Sequence, residues 1–162
     1  MQNILISVSL WDTTDTVLAQ GSRIAEAFDS TVWLLHIMKE PSLGSPRAST
    51  PELREEKAKE KSDLDTEMQS RANDLKQRGL EVHTLLREGT DPADVILEEA
   101  RQASADLIVM GAHGRGALYG ALLGDIAQDV VRQAPCPVLL VPMKMHQAQQ
   151  KAEQEAQKKE KA

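Results

Sequence analysis

Leu107-Ile108-Val109-Met110-Gly111-Ala112-His113-Gly114-Arg115-Gly116 opens the stretch that decides the fold, and it runs on through Ala117-Leu118-Tyr119-Gly120-Ala121-Leu122-Leu123-Gly124-Asp125. Four apolar residues in a row predict a buried strand at its start. A glycine-rich loop follows. Ile126, Ala127, Val130, Val131 and Ala134 then recur at the spacing of one helix face. This order puts the loop at a strand's carboxyl end, where open parallel sheets bind ligands. Glycines let backbone N–H groups approach an anion, and the helix N-terminus adds partial positive charge. Composition alone leaves a second reading open, a long loop that simply needs positive φ at Gly111, Gly114, Gly116 and Gly124.

The same alternation extends in both directions. Ile4 to Val8 and Val32 to Met38 are short apolar runs, read as buried strands. Between them Asp12 to Asp15 offers N-caps, and Val17, Gly21, Ile24 and Phe28 recur at helical spacing. Pro41 to Pro46 is a loop. From about Pro51 to Arg78 the chain predicts a long, highly charged helix whose apolar stripe is only Leu64, Met68, Ala72 and Leu75. Gly79 ends it. Leu80, Val82, Thr84 and Leu86 alternate with Glu81, His83, Leu85 and Arg87, the pattern of an edge strand with one wetter face. Asp91 caps the next helix and Pro92 opens it. Pro135-Cys136-Pro137 stops the last helix, and Val138 to Val141 forms a fifth strand. Strands separated by helices imply right-handed crossovers and a parallel sheet, an α/β three-layer sandwich of the flavodoxin-like or Rossmann-like kind. One domain should cover residues 1–144. Residues 145–162 mix Lys and Glu with little but Ala, which predicts a frayed helix or a disordered tail.

Composition removes several function classes. The 162 residues carry a formal net charge of −6, against the clustered basic face of a nucleic-acid binder. Aromatic residues make up 2% of the chain, too few for base-stacking platforms. A single cysteine, Cys136, allows neither an internal disulfide nor a cysteine-based zinc site. No apolar run approaches the ~18 residues of a membrane span, and Met1-Gln2-Asn3 leads into a strand without a basic signal region. A cytoplasmic location is expected.

Named phosphate motifs fit poorly. A Walker A loop needs Gly-Lys-Ser/Thr, which is absent. Gly114-Arg115-Gly116 with Gly120 resembles a dinucleotide glycine set, but it follows the fourth strand, and little chain remains for a ribose-holding acid. Gly111, two residues, Gly114, nine residues, Gly124 is a closer match. It resembles the signature of the universal stress protein family. Glu88-Gly89-Thr90-Asp91-Pro92, Ala105 to Gly111, His113-Gly114-Arg115 and Ala134-Pro135-Cys136-Pro137-Val138 look like that family's blocks as well. The resemblance covers residues 1 to about 142.

That resemblance implies strand order 3-2-1-4-5, a stress-responsive cytoplasmic dimer joined through the fifth strand, and in many members ATP or another adenine nucleotide, with Mg²⁺, between strands one and four. It lines that crevice with Ser9, Gly111, His113, Gly114, Arg115, Gly124 and Asp125. Two positions depart from the binding pattern. Ser or Thr usually follows the last glycine, where this chain has Asp125. Asp usually ends the first strand, where it has Ser9. Asp125 read alone is a helix N-cap. Read against a phosphate it repels, by ~1 kcal/mol in water and ~4 kcal/mol at an effective dielectric near 20 for charges 4 Å apart. Each ~1.4 kcal/mol is tenfold in affinity, so one to three decades of ATP binding would go. Arg115 or Mg²⁺ would restore part. Weak or absent ATP binding is the expectation, with a functional ATP- or AMP-binding sensor as the alternative.

Elsewhere the chemistry is sparse. His36 reads as a satisfied core or rim residue, His83 as solvated and His146 as part of the tail. His113 either faces a ligand or braces its loop. No two histidines have metal-site spacing. Cys136, between two prolines, reads as buried and inert. No nucleophile–base pair is visible, so no committed catalyst is expected, and a nucleotide-transforming enzyme ranks last.

Overall fold

A computed structural model describes residues 1–10, 14–40, 50–112 and 123–142. Five strands and four helices alternate along them: β1 (Asn3–Ser7), α1 (Thr14–Phe28), β2 (Thr31–Lys39), α2 (Pro51–Gln77), β3 (Val82–Gly89), α3 (Pro92–Gln102), β4 (Leu107–Gly111), α4 (Asp125–Gln133) and β5 (Val138–Val141). All pairings are parallel and the order is β3-β2-β1-β4-β5, as expected. The chain steps from β1 outward through β2 to β3, then returns to the other side of β1 for β4 and β5. The order therefore reverses between β1 and β4, and a crevice opens there at the strands' carboxyl ends.

Because side chains alternate along a strand, β1 feeds two cores. Ile4 and Ile6 pack with Val17, Leu18 and Ala25 of α1 and with Leu64, Met68, Ala72 and Leu75 of α2. Leu5 packs on the opposite face with Ala93, Ile96, Leu97 and Ala100 of α3 and Ala127 and Val130 of α4. Gly21 explains how closely α1 lies on the sheet: a Cβ there would stand 2.5 Å from Cδ1 of Ile6. Gly79 takes φ +90°, so the chain can reverse after α2 without a side-chain clash.

The long helix α2 has 27 residues, about 40 Å at 1.5 Å per residue. Its four buried residues all lie at or beyond Leu64. Before Leu64 the helix stands clear of the core and holds itself by its cap. The Thr50 hydroxyl accepts from the Leu53 amide at 3.3 Å, and Pro51 fills the first turn.

Several expectations need correction. Phe28 is 57% exposed, because it is the last residue of α1 and the buried face ends at Ala25. Val131 is 47% exposed; the face α4 buries is narrower, Ala127 and Val130. β3 begins at Val82, after Leu80, which is buried in the turn. Its supposedly wet face is partly covered, since Leu85 packs against the α3 side. Cys136 is half-buried, packed against the core under α3 and α4, and burial pushes its thiol upward with a smaller push from the Asp106 carboxylate. The expected tail, 145–162, the loop at 41–46 and the caps at 12 and 13 lie outside the described residues.

Candidate functional site

The crevice takes shape from three strand ends. The β1 ladder continues past its last residue, where the Val8 amide donates to the Leu35 carbonyl at 2.9 Å. Met110 and Gly111 end β4 beside it. The Ala112 amide then donates to Val141 and the Gly124 amide to Ala112, each at 2.9 Å. Ala112 and Gly124 thus bring the two ends of the glycine stretch together, at the mouth of the crevice.

A cavity of about 380 Å³ fills this place. Its floor is Ser7, Val8 and Ser9 with Met110 and Gly111, and Ile126 and Ala127 of α4 close one end. The other end runs under the overhanging part of α2, along His36, Ile37, Met38 and Lys39 of β2 and Lys57, Glu60 and Leu64 of α2. Among the described lining residues, the charged ones lie at that second end. Lys39 and Lys57 offset Glu60 and Glu88, and Glu88 stands 3.9 Å from Lys61.

Gly124, not Asp125, is the N-cap of α4. Its ψ of 159° is extended, and the helix begins one residue later than a capping Asp125 would require. Gly124 has no side chain, so the cap residue itself makes no side-chain hydrogen bond to this end. Asp125 is exposed in the first turn, where its charge opposes the helix's own partial positive charge. Of the expected site residues, Ser9 and Gly111 line the cavity, and Gly124 and Asp125 directly precede the two α4 residues that do. His113, Gly114 and Arg115 lie outside the described residues. Sequence reasoning missed Lys57 and Glu60 and read His36 only as a satisfied core or rim residue, not as part of the crevice wall. His36 had a usable signal, a titratable residue at the carboxyl end of a buried strand. The α2 residues had none, because a charged helix face is ordinarily just solvated. Among the described residues no group of three His, Cys, Asp or Glu could hold a metal ion.

A five-stranded parallel sheet with helices on both faces and a crevice at its reversal point defines an α/β sandwich, the class that places ligand sites at the strands' carboxyl ends. The comparisons give the family. The profile of the universal stress protein family matches residues 1–142, and the chain belongs to that family. Universal stress protein MJ0531 of Methanocaldococcus jannaschii is 37% identical over 142 residues, 86% of this chain and 81% of the relative. The solved UspA of Lactobacillus plantarum superposes with a TM-score of 0.76 at 25% identity, covering 86% of this chain and 97% of that one. A universal stress protein in complex with cAMP gives 0.63 at 20% identity, over 88% and 97%. That of Archaeoglobus fulgidus in complex with dAMP gives 0.57 at 20% identity, over 86% and 97%. No helix among the described residues is long and apolar enough to cross a membrane.

Proposed function

We propose that this chain is a non-catalytic stress-response regulator whose crevice accepts an adenine nucleotide of low phosphate charge, with ATP binding weak or absent. The observation that carries the reading is the N-terminus of α4. Gly124 gives its amides no side-chain cap, so a phosphate group fits as their acceptor. The next residue is an exposed carboxylate, so each added phosphate charge meets more repulsion. The solved relatives with cAMP and dAMP support a single phosphate as sufficient in this fold. Calorimetric titration with AMP and MgATP tests the proposal. AMP should bind, MgATP should bind no better than micromolar, and Asp125→Ser should strengthen MgATP by about tenfold or more. Sub-micromolar MgATP affinity in the unaltered protein would overturn it.

A second part of the reading concerns assembly. β5 is the sheet's edge, and Val138, Leu139 and Leu140 are only half-buried in a single chain. They carry no charge to prevent edge pairing. Two chains joined with their β5 strands side by side, antiparallel about a twofold axis, would cover them. Light scattering at micromolar concentration should give twice the chain mass, and Leu140→Lys should shift it toward monomer or insoluble material. A monodisperse monomer from the unaltered protein would count against it.

A further inference from the structure

Helix α2 keeps one inward face along its length, but the face changes character at Leu64. Lys57, Glu60, Leu64, Met68, Ala72 and Leu75 follow one another three or four residues apart, on one side of the helix. From Leu64 onward these residues are apolar and buried in the core. Ahead of it they are charged, and Lys57 and Glu60 line the cavity instead. The ties of the helix change at the same place. Behind Leu64, Arg71 bonds to Asp15, Arg78 stands 2.7 Å from Glu26, and Gln69 Nε2 donates to the Thr84 hydroxyl at 2.8 Å. Ahead of it Lys61 stands 3.9 Å from Glu88, a residue of the cavity wall, with side chains 60% and 45% exposed. An exposed pair at that distance holds weakly.

A joint separates the two halves. Ser62-Asp63-Leu64-Asp65-Thr66 sets four poor helix formers around one leucine. The Thr66 hydroxyl donates to the Ser62 carbonyl at 2.9 Å, a back-bond of the kind that weakens and bends helices. From the wall, the joint and the weak tie together, we infer that residues 51–61 are a lid on the crevice, pivoting at Ser62–Thr66 and latched by Lys61 on Glu88. Opening leaves the core intact, since the buried residues of α2 begin at Leu64. It also returns Lys57 and Glu60 to water, so the open state is not costly. Closing lays them over the β2 end of the cavity, and entry and release at that end follow the lid. The lid needs no particular ligand, so it stands apart from the adenine-nucleotide reading.

Thiol labelling of the full chain tests the lid without any ligand. Met38 lines the cavity under the overhang and is half-buried. Met38→Cys in a Cys136→Ala background therefore reports access to that end. The rate with a bulky fluorescein maleimide, divided by the rate with iodoacetamide, reads access apart from thiol reactivity. Lys61→Glu sets two carboxylates at the latch and should raise this ratio about three- to tenfold. Lys61→Glu with Glu88→Lys restores the pair and should bring the ratio back to within about twofold. Ser62→Ala with Thr66→Ala, both at exposed positions, stiffens the joint and should lower the ratio about two- to fivefold. A ratio that either Lys61→Glu or the joint variant leaves unmoved would overturn the inference, as would a rise that the swapped pair does not reverse. Should Met38→Cys not fold, amide exchange on the otherwise unaltered chain decides. Amides 55–61 should exchange at least about tenfold faster than amides 68–75, and Lys61→Glu should quicken the first set alone. Equal rates in the two sets would overturn the lid.

Discussion

Helices α3 and α4 share one face of the sheet and point their N-termini toward the same crevice, yet they are fastened in opposite ways. Asp91 closes α3, accepting from the Ala93 amide at 2.9 Å and the Asp94 amide at 3.4 Å, and Pro92 removes one further unpaired N–H. Five residues of α3 are buried, and Glu99 ties it to β3 through Arg87. α4 has a glycine cap that offers no side-chain bond, and two buried residues. The difference teaches which helix end the fold closes with its own cap residue and which it does not. A helix end satisfied by its own side chain is finished as structure, whereas one left open needs water or a ligand. Ile126 and Ala127, at the open end, line the cavity, and of α3's first turn only Pro92 does.

The largest effect should come from breaking α3's tie to the sheet. Arg87 donates from Nε to Glu99 at 2.5 Å and from Nη2 at 3.3 Å, while the Glu99 side chain is only 10% exposed. Arg87→Ala strands a buried carboxylate, a change that costs ~3–5 kcal/mol when the pair is fully enclosed. The Arg87 side chain is 41% exposed, so water reaches the gap and about 2 kcal/mol is the expected loss. Denaturant melts should show it. The counterpart in α4, Arg132→Ala, should stay within about 0.5 kcal/mol, since Arg132 makes no ion pair among the described residues. Equal losses in the two variants would erase the contrast between the helices.

The two starts should differ by less. Asp91→Ala should cost about 1 kcal/mol, roughly 2–4 °C in melting temperature for a chain of this size. Asp125→Ala, which removes only a first-turn charge, should cost about 0.3–0.5 kcal/mol. Amide exchange sharpens the comparison. Ala93 and Asp94, bonded to Asp91, should exchange more slowly than Ile126 and Ala127, and AMP should slow only the second pair. Equal protection of both pairs in the ligand-free protein would show that α4 is closed by something else.

The start of α3 was legible in the sequence and that of α4 only in part, for one physical reason. Asp91-Pro92 states a cap and a first helical residue in adjacent letters, so start and function as structure coincide. Gly124-Asp125 admits two starts one residue apart, and local preference favours Asp as the cap. The backbone chose Gly124. Strand order was legible because alternating strands and helices leave few topologies and the family resemblance picked one. His36 was read as a satisfied core or rim residue, and it is buried and bonded to Val8; that partner, 28 residues away, is carried by no local pattern. The role of Lys57 and Glu60 depends on α2 outrunning the sheet, which one charged periodic helix does not announce.

The smallest effect lies where the two helices hand over to their strands. Asp106, between α3 and β4, accepts from the Gln2 and Asn3 amides at 2.6 and 3.0 Å and so pins the start of β1. These two bonds, Asn3 first, hold its carboxyl below the ordinary Asp value. A carboxylate depressed in the folded state contributes stability above its unfolded pKa, and that contribution is lost as pH falls through the folded value. The gap in stability between the unaltered protein and Asp106→Asn should therefore be steady at neutral pH and close below about pH 4. At the matching exit of α4 stands Cys136, raised by burial first and by the Asp106 charge second. Asp106→Asn removes only the second cause. As Cys136 is the only cysteine, its alkylation rate near pH 8 reads this alone, and it should rise slightly, by less than about threefold. No change in rate would mean the two exits are electrically independent. A large rise would mean that charge, and not burial, governs the thiol.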